Sequence, residues 1–317
     1  MYETATHTTT ARRVGCLPAG PVAVTVHRYE GGPGPTVYVQ AAQHGIELNG
    51  PAALRRLHGD LRSAPLAGTV VAVPVANPLA LDSRSYLTPQ AYDARAQNLN
   101  RAWPGDADGS LGQRVAARLW ELVEGADAVV DLHTGTPDML EHVRYPDGDG
   151  AARRLAAAFG APHLMGDDDR GEDADGDGST LRAAAAAAGV PALTAELANS
   201  RRIDPTAATN GATGVRNVLR ELDVLEPSPA DAPSPVRLRG DATPTRADES
   251  GLFELRPDVA VGETVDAGEE LGAVYDPATY ERRQRVTAAD GGLVYSLARE
   301  STVMAGERLA AVARRVG

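Results

Sequence analysis

The chain has 317 residues, of which 43% are hydrophobic, so it is long enough for one large domain with a sizeable core and a smaller appended domain. Its 43 acidic and 31 basic residues give a net charge of −12, and every basic residue is arginine because the sequence contains no lysine. This acidity argues against nucleic-acid backbones and anionic membranes as partners, because the summed field of the protein would repel both.

The sequence carries no signal for a membrane or for secretion. No uninterrupted apolar stretch reaches the roughly 20 residues that a membrane-spanning helix needs. Residues 1–13 are polar and rich in threonine, without the apolar core of a signal peptide. The single cysteine, Cys16, excludes an internal disulfide. We therefore expect a cytoplasmic protein.

The acidic, lysine-free composition has two interpretations. A GC-rich genome favours arginine codons and would explain the missing lysine without any selection on the protein. Alternatively, an excess of surface carboxylates keeps a protein soluble in a cytosol rich in salt, where screening weakens self-repulsion. The second interpretation, an acidic protein of the halophilic type, predicts that stability depends on salt concentration.

The first chemically informative stretch follows a buried strand. A strand is predicted at residues 22–29 by alternating side chains, and a second, apolar strand at 35–42. His44 and Glu47 come directly after the second strand, and the apolar spacing of a helix begins at residue 51. Open α/β sheets bind their ligands at the carboxyl ends of the strands, which is where these two side chains are expected.

A long irregular segment at residues 79–105 carries most of the other candidate residues. Segments of this length inside a compact domain are usually functional. It contains Arg84, Arg95 and the pair Asn100-Arg101. An arginine near a metal would stabilise an oxyanion, and Arg101 with Asn100 could hold a substrate carboxylate. The pair could equally serve as a loop cap and a surface ion pair.

Two later strands also end in residues with chemical potential. His133 follows an apolar run at 126–132, and Glu196 follows one at 190–195. Asp131, two residues before His133, could orient its imidazole or be a strand-terminal charge. A lone strand-end histidine is more often a structural residue than a ligand. The joint occurrence at several strand ends is what indicates a metal site.

These residues together match a known ligand set. His44, Glu47 and His133 are the two histidines and one glutamate with which hydrolytic enzymes hold zinc, leaving the fourth position to water. Glu196 beside such a site could take a proton from that water as a general base and deliver it to a departing amine. The sequence therefore predicts one zinc ion per chain and a hydrolytic reaction.

The order of the elements predicts the fold class. Strands that alternate with helices indicate βαβ crossovers, hence an α/β domain with a mostly parallel sheet and helices on both faces. The predicted helices lie at residues 51–61, 110–124, 151–159, 180–188 and 206–222, and further predicted strands at 68–76 and 162–165.

A proline-rich linker at residues 226–235 precedes a region of different character. Beyond it, short alternating runs separated by Gly, Asp and Pro predict a small all-β domain, a sandwich or a partly closed barrel. We therefore assign residues 1–228 to a catalytic domain and 229–317 to a β-domain. The second is similar to the barrel of biotinyl and lipoyl carriers, but the missing lysine excludes covalent carriage. A role in shaping the crevice or in forming a subunit contact in a homo-oligomer remains.

The acidic loop at residues 166–178 has several possible roles. Asp173, Asp175 and Asp177 resemble the opening of a calcium loop, but its twelfth position is Ala184 where a bidentate glutamate is needed. A solvated acidic loop is the preferred interpretation, with calcium binding or a mobile lid as alternatives.

Four motifs in order resemble those of the succinylglutamate desuccinylase and aspartoacylase family, which is related to the zinc carboxypeptidases. The motifs are His44-Gly45-Ile46-Glu47-Leu48-Asn49-Gly50, Asn98-Leu99-Asn100-Arg101-Ala102-Trp103-Pro104-Gly105, Asp131-Leu132-His133-Thr134-Gly135 and Thr194-Ala195-Glu196-Leu197. The resemblance implies a zinc carboxypeptidase-like fold, zinc on His44, Glu47 and His133, and Glu196 as general base. It also implies that Asn100 and Arg101 bind the carboxylate of the substrate.

The resemblance further implies an arginine that polarises the carbonyl, between the Asn77-Pro78 and Asn100-Arg101 motifs. Arg84 is favoured because an arginine that follows Asn77-Pro78 before a proline-containing turn looks most like the family pattern, and Arg95 is the alternative. Replacing each by alanine would decide between them.

The implied activity is removal of an N-acyl group from an amino acid or a similar small amide. Acetyl, succinyl and other acyl groups are all compatible with the motifs. A carboxypeptidase that acts on peptides is the first alternative. A catalytically silent protein that binds a small carboxylate is the second, although an intact set of ligands and base argues against it.

Overall fold

The fold is described from a computed structural model that covers residues 1–135, 137–167, 179–226, 234–240 and 242–316. Most of the proline-rich linker and the acidic residues 168–178, with the calcium-loop aspartates, lie outside the described residues. Within the described ranges, no helix is both long and apolar enough to cross a membrane. The cytoplasmic location stays a prediction.

Among the described residues, five helices occur where the apolar spacing predicted them, with ends that differ by at most two residues. A short helix at Pro78–Asp82 and a 3-10 turn were not predicted, because the segment 79–105 was expected to be irregular. The helices are α1 Asn49–Leu61, α2 Pro78–Asp82, α3 Leu111–Val123, α4 Gly150–Phe159, α5 Leu181–Ala187 and α6 Pro205–Glu221, with a 3-10 turn at Leu99–Arg101.

The strands fall into an N-terminal and a C-terminal group. The first group comprises β1 Glu3–Thr4, β2 Thr6–Leu17, β3 Gly20–Glu30, β4 Gly32–Ala41, β5 Pro65–Val73, β6 Ala128–Gly135, β7 Asp138–Met139, β8 His142–Pro146, β9 His163–Asp167 and β10 Ala192–Asn199. The second comprises β11 Val236–Arg239, β12 Thr245–Arg246, β13 Gly251–Leu255, β14 Thr264–Val265, β15 Glu270–Tyr275, β16 Arg282–Thr287, β17 Gly292–Leu297, β18 Thr302–Val303 and β19 Arg308–Arg315.

The centre of the main sheet is parallel. Strands β5, β4, β6 and β10 lie side by side in that order and run in the same direction. Antiparallel strands flank this centre, with β3 and β2 on one side and β8 on the other, so the sheet as a whole is mixed. Since the carboxyl ends of the four central strands lie at one edge, residues that follow them meet there.

Helices cover both faces of the sheet, as the sequence predicted. In β6 the adjacent residues Val129 and Val130 point to opposite faces and both are fully buried. Val130 packs in the cluster with Leu57 of α1 and Val215 of α6, whereas Val129 packs in the cluster with Leu119 of α3. A strand buried on both faces is typical of an α/β sheet, and the predicted α/β fold class is confirmed.

The sequence analysis missed β2, the longest strand of the N-terminal group. It pairs with β3 along almost its whole length, with His7 opposite Tyr29 and Leu17 opposite Gly20. Most of its side chains are exposed, so it lacks the apolar alternation from which a strand is predicted. It adds an antiparallel edge to the parallel centre.

The C-terminal region is built from strands alone within the described ranges. Strands β16, β15, β13 and β18 form a second, antiparallel sheet. Phe253, Leu271 and Leu309 belong to a cluster of buried side chains that draws only on residues after 241. Strand β11 joins the two regions, because it pairs with β9 on one side and with β19 on the other. The domain boundary at 228/229 stays a prediction.

Candidate metal centre

The turn after β4 brings two side chains into the interior. The chain leaves the strand through Ala42, whose φ of 51° lies in the left-handed region. His44 and Glu47 follow, each with only 2% of its surface exposed. Gly45 between them is required by close packing, because a Cβ there would lie 2.0 Å from the carbonyl carbon of Ala80. The local fold therefore fixes both side chains before α1 begins.

His133, on the adjacent strand β6, completes a set of three buried donors. A donor atom from each of His44, Glu47 and His133 lies within 4.8 Å of the other two. Nδ1 of His133 lies 3.0 Å from Oε2 of Glu47, and the centroids of the two imidazole rings are 5.3 Å apart. Two imidazole nitrogens and one carboxylate oxygen fit the donor preference of Zn²⁺ and related divalent ions.

Asp131 holds the imidazole of His133 from the side opposite Glu47. Its Oδ2 lies 2.9 Å from Nε2 of His133 and also accepts a hydrogen bond from Nε2 of Gln43 at 2.7 Å. Its Oδ1 accepts from Nε2 of Gln40 at 3.1 Å. A carboxylate on one ring nitrogen fixes the tautomer and directs the other nitrogen to a metal. Of the two interpretations of Asp131, the geometry supports the orienting one.

Sequence reasoning missed the residues that hold Asp131. Oε1 of Gln43 accepts a hydrogen bond from the indole Nε1 of Trp103 at 2.8 Å, and the hydroxyl of Tyr38 donates to Oε1 of Gln40 at 2.9 Å. All of these side chains are buried. Two glutamines in and just after an apolar strand were the available signal, because buried amides need partners.

The two histidines differ in protonation because their surroundings differ. Burial lowers the pKa of His44 to about 4, although Glu47 acts in the opposite direction. Burial also acts to lower the pKa of His133, but Asp131 and Glu47 outweigh it and raise that pKa well above the usual value. His44 is therefore neutral at pH 7, whereas each ring nitrogen of His133 faces a carboxylate, which favours its protonated form.

Glu196 of β10 lies beside this group. Strand β10 runs parallel to β6, and Glu196 is directly opposite His133 in the register. Burial raises the pKa of Glu196 to about 6; the nearby Glu47 and Asp131 reinforce the shift, while His133 and Arg144 oppose it. A carboxyl group with a pKa close to neutrality is well suited to exchange protons during a reaction.

Asn49, the first residue of α1, ties the strand ends together. Its Nδ2 donates to the carbonyl oxygen of Leu197 at 2.7 Å, just after Glu196, and its Oδ1 accepts from the backbone N–H of Asp204 at 2.8 Å. Asn49 is fully buried. It therefore fixes the helix that follows Glu47 against the strand that carries Glu196.

The long segment 79–105 reaches this site through Tyr86. The ring of Tyr86 stacks on His44 with centroids 3.9 Å apart and planes at 17°. The carbonyl oxygen of Tyr86 lies 3.3 Å from Nδ1 of His44. Sequence analysis assigned no role to Tyr86, which is 36% exposed and so forms part of the wall of the site.

The candidate arginines lie farther out. Arg84 and Arg95 are exposed, and within the described ranges no hydrogen bond or ion pair joins either to His44, Glu47, His133 or Glu196. Arg84 precedes Tyr86 by two residues and has a φ of 51°. Its role and that of Arg95 stay predictions.

Asn100 and Arg101 are half-buried in the 3-10 turn. Oδ1 of Asn100 accepts a hydrogen bond from the backbone N–H of Leu181 at 3.1 Å, which attaches the turn to the start of α5. Nη1 of Arg101 donates to the carbonyl oxygen of Asn100 at 2.7 Å. Part of each side chain therefore supports the loop, and carboxylate binding by this pair stays a prediction.

Two arginines without a predicted role lie near Glu196. Arg144 of β8 is opposite Thr194 of β10, on the strand face that Glu196 shares. Arg182 of α5 is buried and donates from Nη1 to Oγ1 of Thr194 at 3.1 Å. Both bring positive charge to a site that is otherwise rich in carboxylates.

The chain is similar in sequence to a family of known proteins. A model described as the succinylglutamate desuccinylase/aspartoacylase catalytic domain matches residues 33–222. An N-alpha-acetyl-L-2,4-diaminobutyric acid deacetylase from Halomonas elongata is 30% identical over 269 residues, which cover 81% of this chain and 75% of that protein.

Solved structures match almost the entire chain. A succinylglutamate desuccinylase/aspartoacylase from Rhodobacter sphaeroides superimposes with a TM-score of 0.84 at 26% identity, covering 99% of this chain and 97% of the other. The product-bound ectoine utilization protein EutE (DoeB) from Ruegeria pomeroyi gives a TM-score of 0.85 at 24% identity, covering 98% and 96%. At 24% identity, the match to EutE (DoeB) shows similarity of fold alone.

Proposed function

Because the chain belongs to the succinylglutamate desuccinylase/aspartoacylase family, we propose that this deacylating hydrolase depends on zinc and removes an N-acyl group from an amino acid or a related small amide. The observation that carries the proposal is the convergence of His44, Glu47 and His133 within 4.8 Å, with Glu196 in register beside His133. Hydrolysis assisted by a metal needs a metal site and a base, and in this proposal the four residues would supply both.

His44, Glu47 and His133 would hold the metal. A zinc ion in such a site polarises the acyl carbonyl and lowers the pKa of a water molecule towards neutrality. Asp131 keeps the imidazole of His133 in one tautomer, with Nδ1 directed to the site. Burial of the three donors keeps bulk water from competing with the substrate and strengthens electrostatic interactions inside the site.

Glu196 carries the proton in the proposed reaction. It accepts a proton from the attacking water and delivers it to the amine as the C–N bond of the amide breaks. Its raised pKa of about 6 makes both transfers accessible near neutral pH. The carboxylate product and the free amine then leave through the crevice.

Arginines provide the remaining positive charge. We propose that Arg84 approaches the carbonyl oxygen and that Asn100 and Arg101 bind the carboxylate of the amino acid, with Arg95 as the alternative to Arg84. An arginine and a carboxylate pair through two parallel hydrogen bonds, which would orient the acyl amide over the metal site.

The acyl group we favour is acetyl, because the Halomonas relative is named a deacetylase of N-alpha-acetyl-L-2,4-diaminobutyric acid. That compound is the first substrate to test. N-Succinyl amino acids are the second class, since the matched family model covers desuccinylases.

The test is a panel of N-acetyl and N-succinyl amino acids, assayed with and without a chelator. We expect release of the free amino acid from at least one substrate, loss of activity with the chelator, and recovery when Zn²⁺ is added. Peptides with a blocked N-terminus are assayed in parallel. Release of C-terminal residues from these peptides, without deacylation, would favour a carboxypeptidase and contradict the proposal.

A further inference from the structure

Three histidines outside the candidate active site come together on the antiparallel side of the sheet. They are His7 of β2, His27 of β3 and His58 of α1, all half-buried. A ring nitrogen of each lies within 4.8 Å of ring nitrogens of the other two. The ring centroids are 5.4 Å apart for His7 and His27, 4.9 Å for His7 and His58, and 5.5 Å for His27 and His58.

The strand register explains how residues so distant in sequence meet. His7 is opposite Tyr29, and Thr9 is opposite His27. Because side chains alternate along a strand, these four residues share one face of the β2–β3 pair. Tyr29 on that face packs in the same buried cluster as Leu57 of α1. The next residue of the helix, His58, lies over the two strand histidines.

Neighbouring groups already orient the rings. Nε2 of His7 and Nδ1 of His27 are 3.1 Å apart, and Oγ1 of Thr9 lies 3.3 and 3.4 Å from these two atoms. The hydroxyl of Tyr29 lies 2.7 Å from Nδ1 of His58. Tetrahedral coordination at about 2.0–2.1 Å needs nitrogen atoms about 3.4 Å apart, so small side-chain rotations suffice.

The electrostatic surroundings favour the neutral form of His27 and His58. Burial and the neighbouring His7 and His58 lower the pKa of His27, and burial with His7 and Arg62 lowers that of His58. His58 also lies in the last turn of α1, where the helix dipole favours a cation. The positive charge of Arg62 disfavours a cation at this position, but the Arg62 side chain is exposed, so solvent screens its charge.

We propose that His7, His27 and His58 form a second metal site that binds Zn²⁺, with water in the fourth position. Three imidazoles and an open position are a donor set that zinc accepts, and copper and nickel ions also prefer imidazole. The site is separate from the candidate active site, because His58 lies near the C-terminal end of α1 and Glu47 precedes its N-terminal end. A helix of 13 residues is about 20 Å long. Bound metal would fasten β2 and β3 to α1.

Counting zinc in a set of full-length variants tests this proposal. The double variant His44→Ala/His133→Ala removes two of the three active-site donors but leaves the second site intact, so we expect it to retain one equivalent of zinc. Adding His27→Gln and His58→Gln should abolish binding. Excess Zn²⁺ should raise the melting temperature of the double variant but not that of the quadruple variant, because binding to the folded state stabilises it.

Two further variants distinguish a built site from scattered histidines. Tyr29→Phe removes only the hydroxyl beside His58, and losing such a partner should lower zinc affinity about 10- to 100-fold in the double-variant background. His163→Gln, at another half-buried histidine, is the matched control and should leave the stoichiometry unchanged.

The proposal is overturned if the His44→Ala/His133→Ala variant binds no zinc, or if its one equivalent survives His27→Gln/His58→Gln. Neither outcome bears on the deacylase proposal, which is measured by turnover. His58→Gln alone in the otherwise unchanged chain should keep its turnover, which shows that the variant folds.

Discussion

The two histidine clusters of this protein differ in the carboxylates that surround them. At the carboxyl ends of the parallel strands, Asp131 and Glu47 contact the imidazole of His133 and raise its pKa well above the usual value. On the antiparallel side, His27 and His58 have no carboxylate contact among the described residues, and their pKa values are lowered.

The difference follows from what each environment supplies. At the first cluster, buried carboxylates orient the imidazole of His133, which in the proposed function binds the metal, and Glu196 would move protons. Apart from one another, the histidines of the second cluster have Tyr29 and Thr9 as their hydrogen-bond partners among the described residues, and neither is a carboxylate that could accept a proton. We therefore assign chemistry to the first cluster and a structural metal to the second. The predictions below test this division.

The largest effect is expected at Glu196. Glu196→Gln keeps the shape of the side chain but removes its ability to accept a proton, so turnover should fall about 10²- to 10⁴-fold. Steady-state kinetics with the best substrate of the panel measures this. Glu141→Gln is the matched control, since Glu141 is another half-buried glutamate with a raised pKa that contacts Asn210 instead of the site. Equal losses in both variants would contradict the assigned role.

Arg84 and Arg95 test whether the long segment 79–105 belongs to the first cluster. Losing a donor to the oxyanion should cost about 10²-fold or more in turnover, which we expect for Arg84→Ala and not for Arg95→Ala. The two variants are measured side by side with one substrate. If only Arg95→Ala loses activity, the assignment of Arg84 is wrong and Arg95 takes its place.

Asp131 and Tyr29 are the groups that hold a histidine in the first and second cluster, respectively. Asp131→Asn should lower zinc affinity at the first cluster about 10- to 100-fold and reduce turnover with it. Tyr29→Phe should leave turnover unchanged. Competition with a chelator measures the affinity. Asp127→Asn, at an exposed carboxylate that accepts a backbone hydrogen bond from Thr36, is the control for Asp131.

The pH dependence of activity tests the same difference in role between the two clusters, with a smaller expected effect. Glu196 acts as a base only when it is ionised, and its pKa is raised to about 6. The value of kcat/KM should therefore fall as the pH drops through about 6, by roughly tenfold for each further unit. His58→Gln should not move this limb. A profile that stays flat down to pH 5 would exclude Glu196 as the base.

The smallest effect concerns the surface. The net charge of −12 resides largely on exposed carboxylates, whereas both clusters are at least half-buried. Salt should therefore act on the repulsion between the surface carboxylates and not on the clusters. If the composition is an adaptation to salt, the melting temperature should rise with molar salt. A melting temperature that does not change across the series would support the codon interpretation.

Much of the fold and of the candidate site could be predicted from local patterns in the sequence. The α/β class and helices on both faces were predicted and are confirmed, because a period of 3.6 residues and buried apolar runs are local properties. The family was predicted from the resemblance of four ordered motifs and is also confirmed. His44, Glu47, His133 and Glu196 were selected because each lies at or just after a strand end. In a parallel sheet, strand ends share one edge, so proximity follows without knowledge of the coordinates.

Other features required the tertiary structure. Strand β2 is amphipathic only weakly, and its place is fixed by pairing with β3 and not by its own pattern. The stacking of Tyr86 on His44 depends on the path of an irregular segment, which local propensity does not determine.

Local patterns in the sequence therefore indicated which residues could bind a metal at the parallel strand ends, because strands that alternate with helices predict a parallel sheet. The meeting of His7, His27 and His58 was visible only in the folded structure, because their contact depends on strand register and on where α1 packs against β2 and β3. Register is set by the sum of many contacts along the strands, and no short motif records it.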